Sequence, residues 1–273
     1  MKKYRSIFIS DVHLGSRGCQ AEALTKFLKE NTSDNLFLVG DIVDGWRLKS
    51  KWYWPQSHSN VLRRILTAAK RGTNVHYILG NHDEFFRAFL RFRLTFGRVK
   101  MSNRHVYTGV DGKRYLITHG DMFDRLMRSD GKWLMRLGDY AYDFAVWVNV
   151  RFNSVRRILG LDYWSLSKWL KTKTKKAVAF VHRYEEQVAG YCKRKGFDGV
   201  ICGHIHVAEI KDIDGITYMN DGDWVESCSA LVEHHDGRWE LLFSKVTHEG
   251  VLDDTPALPA PRLKPAIELE PAE

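Results

Sequence analysis

Five short polar blocks carry the residue types that do metal chemistry: Asp11-Val12-His13, Gly40-Asp41, Gly80-Asn81-His82-Asp83, His119-Gly120-Asp121 and Gly203-His204-Ile205-His206. Seven of their side chains are candidate metal ligands: Asp11, His13, Asp41, Asn81, His119, His204 and His206. The donors are oxygen and imidazole with no thiolate, a set that favours Mn²⁺, Fe²⁺ or Zn²⁺ over copper. Seven donors exceed what one tetrahedral ion needs and suit two ions about 3.5–4 Å apart sharing a carboxylate. Two such ions deprotonate a bridging water at neutral pH and clamp the oxygens of a phosphoryl group, so in-line attack on phosphorus is the natural reaction. One Gly-Asp alone reads as a turn or a helix cap. Five blocks in one chain read as one site. His58, His105, His182, His234, His235 and His248 lack such surroundings and read as ordinary residues.

Each block follows an apolar run: Ile7-Phe8-Ile9, Leu36-Phe37-Leu38-Val39, Val75-His76-Tyr77-Ile78-Leu79, Tyr115-Leu116-Ile117 and Val200-Ile201-Cys202. In open sheets of parallel strands, ligands bind beyond the carboxyl ends of the strands. Asp11 and His13 are two residues apart, as are His204 and His206, a spacing that aims both side chains one way if the segment is extended. Strands over 7–10, 36–39 and 75–79 alternate with helices over 21–30 and 60–71, which predicts a largely parallel inner sheet covered by helices. Asp111-Gly112, Asp214-Gly215 and Asp236-Gly237 mark three later hairpins. The expected architecture is α/β, with two mixed sheets packed face to face and helices outside.

The chain has 273 residues, 44% of them hydrophobic, enough for a large core over residues 1–250. Its net charge of +9 favours anionic partners. Four cysteines without a C-x-x-C pair read as free thiols of a cytoplasmic protein. The apolar N-terminal stretch is broken at Asp11 and His13, which suits a first strand better than a signal peptide. A helical insert over roughly 121–195 holds 16 Lys plus Arg against 8 Asp plus Glu, nearly the whole charge excess. It also holds Trp133, Trp147, Trp164 and Trp169. Residues 251–273 carry five of the six prolines and read as a disordered tail.

The order D-x-H, G-D, G-N-H-D, H-G, G-H-x-H over residues 7–225 resembles the signature of calcineurin-like metallophosphoesterases. The resemblance implies a four-layer αββα fold and a dinuclear site. Asp11, His13, Asp41 and His206 would hold one ion. Asp41, Asn81, His119 and His204 would hold the other, with Asp41 bridging. It further implies that His82 is a catalytic group that stabilises the phosphoryl transition state or protonates the leaving oxygen, and that Asp83 orients His82.

The substrate has to be read from elsewhere. The lysine run from Lys168 to Lys176 beside apolar residues is a pattern of helices lying on anionic membranes. A lid of this kind would grip phosphate with its bases and an acyl chain with its aromatics, and Asp121, Arg125, Lys171 and Lys175 are its candidate substrate contacts. S-D-V-H-L-G, the Trp after the early Gly-Asp, and an insert after His119-Gly120-Asp121 resemble the UDP-2,3-diacylglucosamine diphosphatase group. That resemblance implies a Mn²⁺ enzyme of lipid A synthesis, peripheral on the inner face of the inner membrane, cutting a lipid-linked nucleotide sugar to release UMP. The established lipid A enzymes carry G-N-R-D in the third block, whereas this chain has Gly80-Asn81-His82-Asp83, which marks it as a paralogue. Arginine there only stabilises charge, while histidine also donates a proton. A soluble phosphodiesterase or nuclease is the other open reading. A basic chain with exposed aromatics supports it, although nucleic acid is the less favoured partner. A non-catalytic binding protein fits worse, because no expected ligand is missing.

Overall fold

The structure is a computed structural model that describes residues 2–92, 98–127 and 175–244. Lys171, the four tryptophans of the insert and the tail over 251–273 lie outside the described residues, as do the side chains of Arg125 and Lys175.

The first half builds a parallel sheet one βα unit at a time. Strand β1 (Lys2–Ile9) leads to α1 (Ala21–Glu30), β2 (Asn31–Val39), a short α2 (Gly45–Ser50), α3 (Gln56–Lys70) and β3 (Asn74–Ile78). A 3-10 helix (Glu84–Phe92) and β4 (Val99–Ser102) follow. Strands β1 to β4 pair in parallel. In β1 and β2, alternate residues bury opposite faces. Ile7, Ile9, Leu36 and Leu38 pack with Leu24 and Phe27 of α1 and Val61 and Ile65 of α3, while Phe8, Phe37 and Val39 point into the second sheet. Burial on both faces is why these strands read as unbroken apolar runs.

The second half adds antiparallel pairs. Strands β5 (His105–Thr108) and β6 (Arg114–Ile117) form a hairpin. Helix α4 (Asp121–Met127) follows the fourth polar block, and α5 (Lys175–Lys195) precedes β7 (Gly199–Cys202). Strands β8 (Glu209–Ile213) and β9 (Ile216–Asn220) are joined by Asp214-Gly215 alone. Both loop residues have positive φ, 53° and 82°, as a type I′ turn requires. Strands β10 (Ser229–Glu233) and β11 (Trp239–Phe243) form the third hairpin, which returns to the first sheet.

The result is a six-stranded sheet ordered β11-β10-β1-β2-β3-β4 and a five-stranded sheet ordered β5-β6-β7-β9-β8. Phe8, Phe37, Ile78, Tyr107, Ile117, Ile201, Met219 and Leu231 fill the space between them. Helices α1 and α3 cover the outer face of the first sheet, and Phe123, Tyr184 and Val188 of α4 and α5 cover the second. This is the four-layer α/β arrangement that the residue pattern predicted. Among the described residues, no helix is long and apolar enough to cross a membrane.

Candidate metal centre

The polar blocks meet at the carboxyl ends of β1, β2, β3, β6 and β7. Their backbone is not extended there. Asp11, His13, Asp41, His204 and His206 all have φ between 50° and 71°, the left-handed region. The expectation that an extended segment aims Asp11 with His13, and His204 with His206, is therefore corrected: left-handed turns aim them. Each such residue costs roughly 1–3 kcal/mol and persists only where surroundings over-determine it. Those surroundings are visible. The first block hydrogen-bonds the second along the backbone, through Asp11 N to Gly40 O at 3.1 Å and His13 N to Asp41 O at 2.9 Å. Close approach explains two glycines. A Cβ on Gly40 would enter the His119 ring, and one on Gly80 would strike the Asp41 carboxylate.

Two buried carboxylates organise the centre. Asp11 Oδ1 lies 3.0 Å from His206 Nε2 and 3.9 Å from His13 Nε2. Asp41 Oδ2 lies 3.2 Å from His119 Nε2, 3.9 Å from His82 Nε2 and 4.0 Å from His13 Nε2. Three overlapping ligand groups result: Asp11 with His13 and His206, Asp11 with Asp41 and His119, and His13 with Asp41 and His82. Within each group the ligand atoms lie within 4.8 Å of one another. Asp11 Oδ1, His13 Nε2, Asn81 Oδ1 and His119 Nε2 are buried and make no hydrogen bond. A buried polar atom left this way calls for an ion or a water. Four of them, supplied by the first, third and fourth blocks, fit divalent cations. Asp11, His13 and Asp41 each belong to two of the groups.

One ring nitrogen each of His119 and His204 is held from behind, the arrangement that orients metal-binding histidines. His119 Nδ1 is 2.9 Å from Val39 O, which leaves Nε2 for the site. His204 is held through Nε2, 2.8 Å from Asp124 Oδ2 at the start of α4, which leaves Nδ1. His204 falls outside the three ligand groups among the described residues, with its ring centroid 5.0 Å from that of His119.

Asp44 was missed by the sequence reading and does the work expected of Asp83. Its Oδ2 lies 3.3 Å from His13 Nδ1 and its Oδ1 2.9 Å from His82 Nδ1. Oδ1 also accepts from Arg47 N at 2.9 Å as the N-cap of α2. The signal was present, since an Asp just ahead of a helix is a cap. Nothing in the sequence reveals that the same carboxylate reaches two imidazoles. Asp83 instead braces the second block, accepting from Ile42 N, Val43 N and the Tyr77 hydroxyl at 2.8–3.1 Å. Asp121, read as a substrate contact, accepts a 2.8 Å hydrogen bond from Arg87, which also donates to Gly80 O and so ties the third block to the fourth. His58, read as ordinary, accepts from Gly15 N in the core.

The electrostatics follow from this packing. Burial pushes Asp11 and Asp41 upward, but the surrounding imidazoles outweigh it and hold both well below the usual carboxylate range. Burial likewise opposes the charge on Asp44, yet its bonds to His13 and His82 hold it low. Burial lowers His82, and Asp44 and Asp41 more than reverse that, so His82 rises above its ordinary value. Burial and the Asp41 charge push Asp83 up to about 6. Trp46 lies over His82 with centroids 4.1 Å apart, giving the site an aromatic wall.

The model of the calcineurin-like phosphoesterase family matches residues 4–208. The chain is 25% identical over 249 residues to the UDP-2,3-diacylglucosamine hydrolase of Aliivibrio fischeri, a match covering 86% of this chain and 96% of that protein. It is 27% identical over 119 residues to the UDP-2,3-diacylglucosamine hydrolase of Blochmanniella pennsylvanica, covering 42% of this chain and about half, 46%, of that relative. Among solved structures, it is similar to a novel archaeal phosphodiesterase at a TM-score of 0.42 and 12% identity, covering 87% of this chain and 98% of the other.

Proposed function

The chain belongs to the calcineurin-like phosphoesterase family, and from that premise we propose that it is a phosphoester hydrolase that cleaves the pyrophosphate of a lipid-linked nucleotide sugar of the UDP-2,3-diacylglucosamine type, releasing UMP. The observation that carries this substrate is similarity to a hydrolase of that name across 96% of its length. Asp11, His13, Asp41 and His206 would hold one divalent ion and Asp41, Asn81, His119 and His204 a second, with Mn²⁺ the proposed metal. Bound there, the ions would supply Lewis acidity toward water and phosphoryl oxygens.

The chain's own groups supply position and protons. Asp44 holds His82 by Nδ1, so Nε2 faces the Asp41 side of the site. The two carboxylates near His82 keep it protonated to higher pH than an ordinary histidine. It is thereby placed to give its Nε2 proton to the leaving oxygen, a role an arginine cannot fill. Asp83 keeps Ile42 and Val43 in place and through them the backbone that carries Asp41.

The test is incubation of the full chain with UDP-2,3-diacylglucosamine and Mn²⁺, with Asp41→Ala as control. UMP release by the wild type and not by the variant is expected. Equal traces from both would remove this substrate. A soluble phosphodiester is the second reading, favoured by the aromatic wall of the site: Trp46, which lies over His82, is 39% exposed. Such rings stack on nucleobases. Metal-dependent cleavage of oligonucleotides, with the lipid substrate untouched, would select it.

A further inference from the structure

A groove lined by cations lies apart from the metal centre, on the outer helical layer. Helices α1 and α3 pack side by side there, and between them runs a groove of about 280 Å³ lined by Thr25, Lys29, Asn60, Arg63, Arg64 and Thr67. None of the lining residues belongs to a polar block of the metal centre. Among the described residues, three cations and no carboxylate line the groove. In the rest of the described fold, Lys3, Arg5, Arg87, Lys211 and Arg238 pair with Asp or Glu, while Lys26, Lys100 and Lys113 are among those that do not. Among the described residues, Lys29, Arg63 and Arg64 have no such ion pair.

The neutral groups of the groove are arranged as donors. Asn60 Oδ1 accepts from Arg63 Nη2 at 2.7 Å and from Gln56 Nε2 at 3.3 Å, so its amide NH₂ remains to donate. The Thr25 hydroxyl oxygen is buried and has no hydrogen-bond partner, although it lines a groove rich in cations. A buried hydroxyl left unbonded costs stability unless something accepts from it. One oxyanion seated among these groups would satisfy the hydroxyl and face three cations. Two neighbouring guanidinium groups suit phosphate in particular, because their planar forks bind its oxygens in pairs.

We propose that the α1–α3 groove binds a phosphate group. Its source is either a lipid headgroup or a soluble phosphate ester. An adjoining depression of about 360 Å³, which shares Arg63 and Thr67, favours the lipid. Leu62 and Leu66 line it beside Lys70, and Leu66 is 46% exposed. Cations flanking an exposed apolar ledge is the pattern that anionic membrane surfaces attract. This site is independent of the hydrolytic reading, because it shares no residue with it.

The test uses the full chain in two arms. One measures sedimentation with phosphatidylglycerol-containing vesicles against phosphatidylcholine vesicles. The other measures calorimetric binding of glycerol 3-phosphate and inorganic phosphate. The variants are Arg63→Gln with Arg64→Gln, Thr25→Val, and a charge-matched control, Lys100→Gln with Lys113→Gln, both exposed elsewhere. The double arginine variant is expected to weaken binding roughly tenfold or more, Thr25→Val by less, and the control little. Metal-dependent hydrolysis of bis-p-nitrophenyl phosphate should be the same in all. Loss confined to the vesicle arm assigns the lipid source, and loss confined to the soluble arm assigns the soluble ester. Equal binding by wild type and the arginine variant in both arms overturns the site. So does an equal loss in the lysine control, which would mean that bulk charge alone is at work.

Discussion

At the residue scale the decisive group is Asp44, one carboxylate serving two imidazoles and a helix cap. Asp44→Asn keeps the shape and the cap while removing the charge. The His82 pKa is raised by that charge against the effect of burial, so the variant should lower it. The alkaline limb of the pH–rate profile, where protonated His82 is lost, is then expected to move to lower pH, with activity down about 10–100-fold. Asp83→Asn should behave differently. Its partners are two backbone amides and Tyr77, so it should lower the melting temperature and leave the alkaline limb in place. Full profiles of both variants decide the matter, and a limb that moved with Asp83 rather than Asp44 would restore the sequence expectation. The contrast shows where residue-level legibility ends. Ligand types announce themselves because few side chains bind a divalent ion. A residue behind a ligand needs only a carboxylate within reach, and adjacency in sequence, which favoured Asp83, carries no distance information. The left-handed φ of Asp11 and His13 was likewise hidden, because tertiary hydrogen bonds to the second block impose it rather than any local preference.

At the element scale, legibility followed hydrophobic period and turn chemistry. Helix α1 spans Ala21–Glu30 as its pattern predicted, and the Asp-Gly hairpins stand where expected. Helix α2 and strand β4 went unread, since six and four residues are too few to show a period. The packing of the two sheets holds a further device. His76 of β3 stacks on Phe37 at 4.7 Å and meets His105 of β5 at 4.7 Å, so the two histidines bridge the sheets. Burial, His105 and Lys100 push His76 down from 6.5 to about 4, and burial with Lys100 lowers His105. A histidine with a depressed folded pKa contributes stability above its unfolded value, and that contribution is lost as pH falls. The window here runs from 6.5 down to about 4. His76→Phe should keep the stack, remove the protonation, and flatten part of the acid-side fall in melting temperature across that window. Melting curves of variant and wild type that stay parallel throughout would show that the pair does not titrate in this way.

At the scale of the whole molecule, two buried carboxylates and a ring of imidazoles are gathered at one end of a four-layer fold. Four of their ligand atoms make no hydrogen bond inside the protein. A fold built like this is incomplete in a measurable sense, because any ligand that binds the native state and not the unfolded chain adds stability by mass action. At a hundredfold excess over the dissociation constant, one site adds about 2.7 kcal/mol. For a domain of this size each kcal/mol raises the melting temperature by roughly 2–4 °C. Mn²⁺ at that excess is therefore expected to raise it by about 5–10 °C over the chelated protein, and the gain should go on rising with the logarithm of metal concentration. Asn81→Ala removes one buried ligand atom from the set and should lose much of that gain, because a site one donor short binds its ion more weakly. Arg63→Gln with Arg64→Gln should keep the gain, since the α1–α3 groove lies outside the metal blocks. This measurement separates holding metal from turning over any particular ester. A melting temperature indifferent to Mn²⁺, Fe²⁺ and Zn²⁺ alike would mean that the converged ligand atoms do not form a divalent-ion site, whatever the substrate.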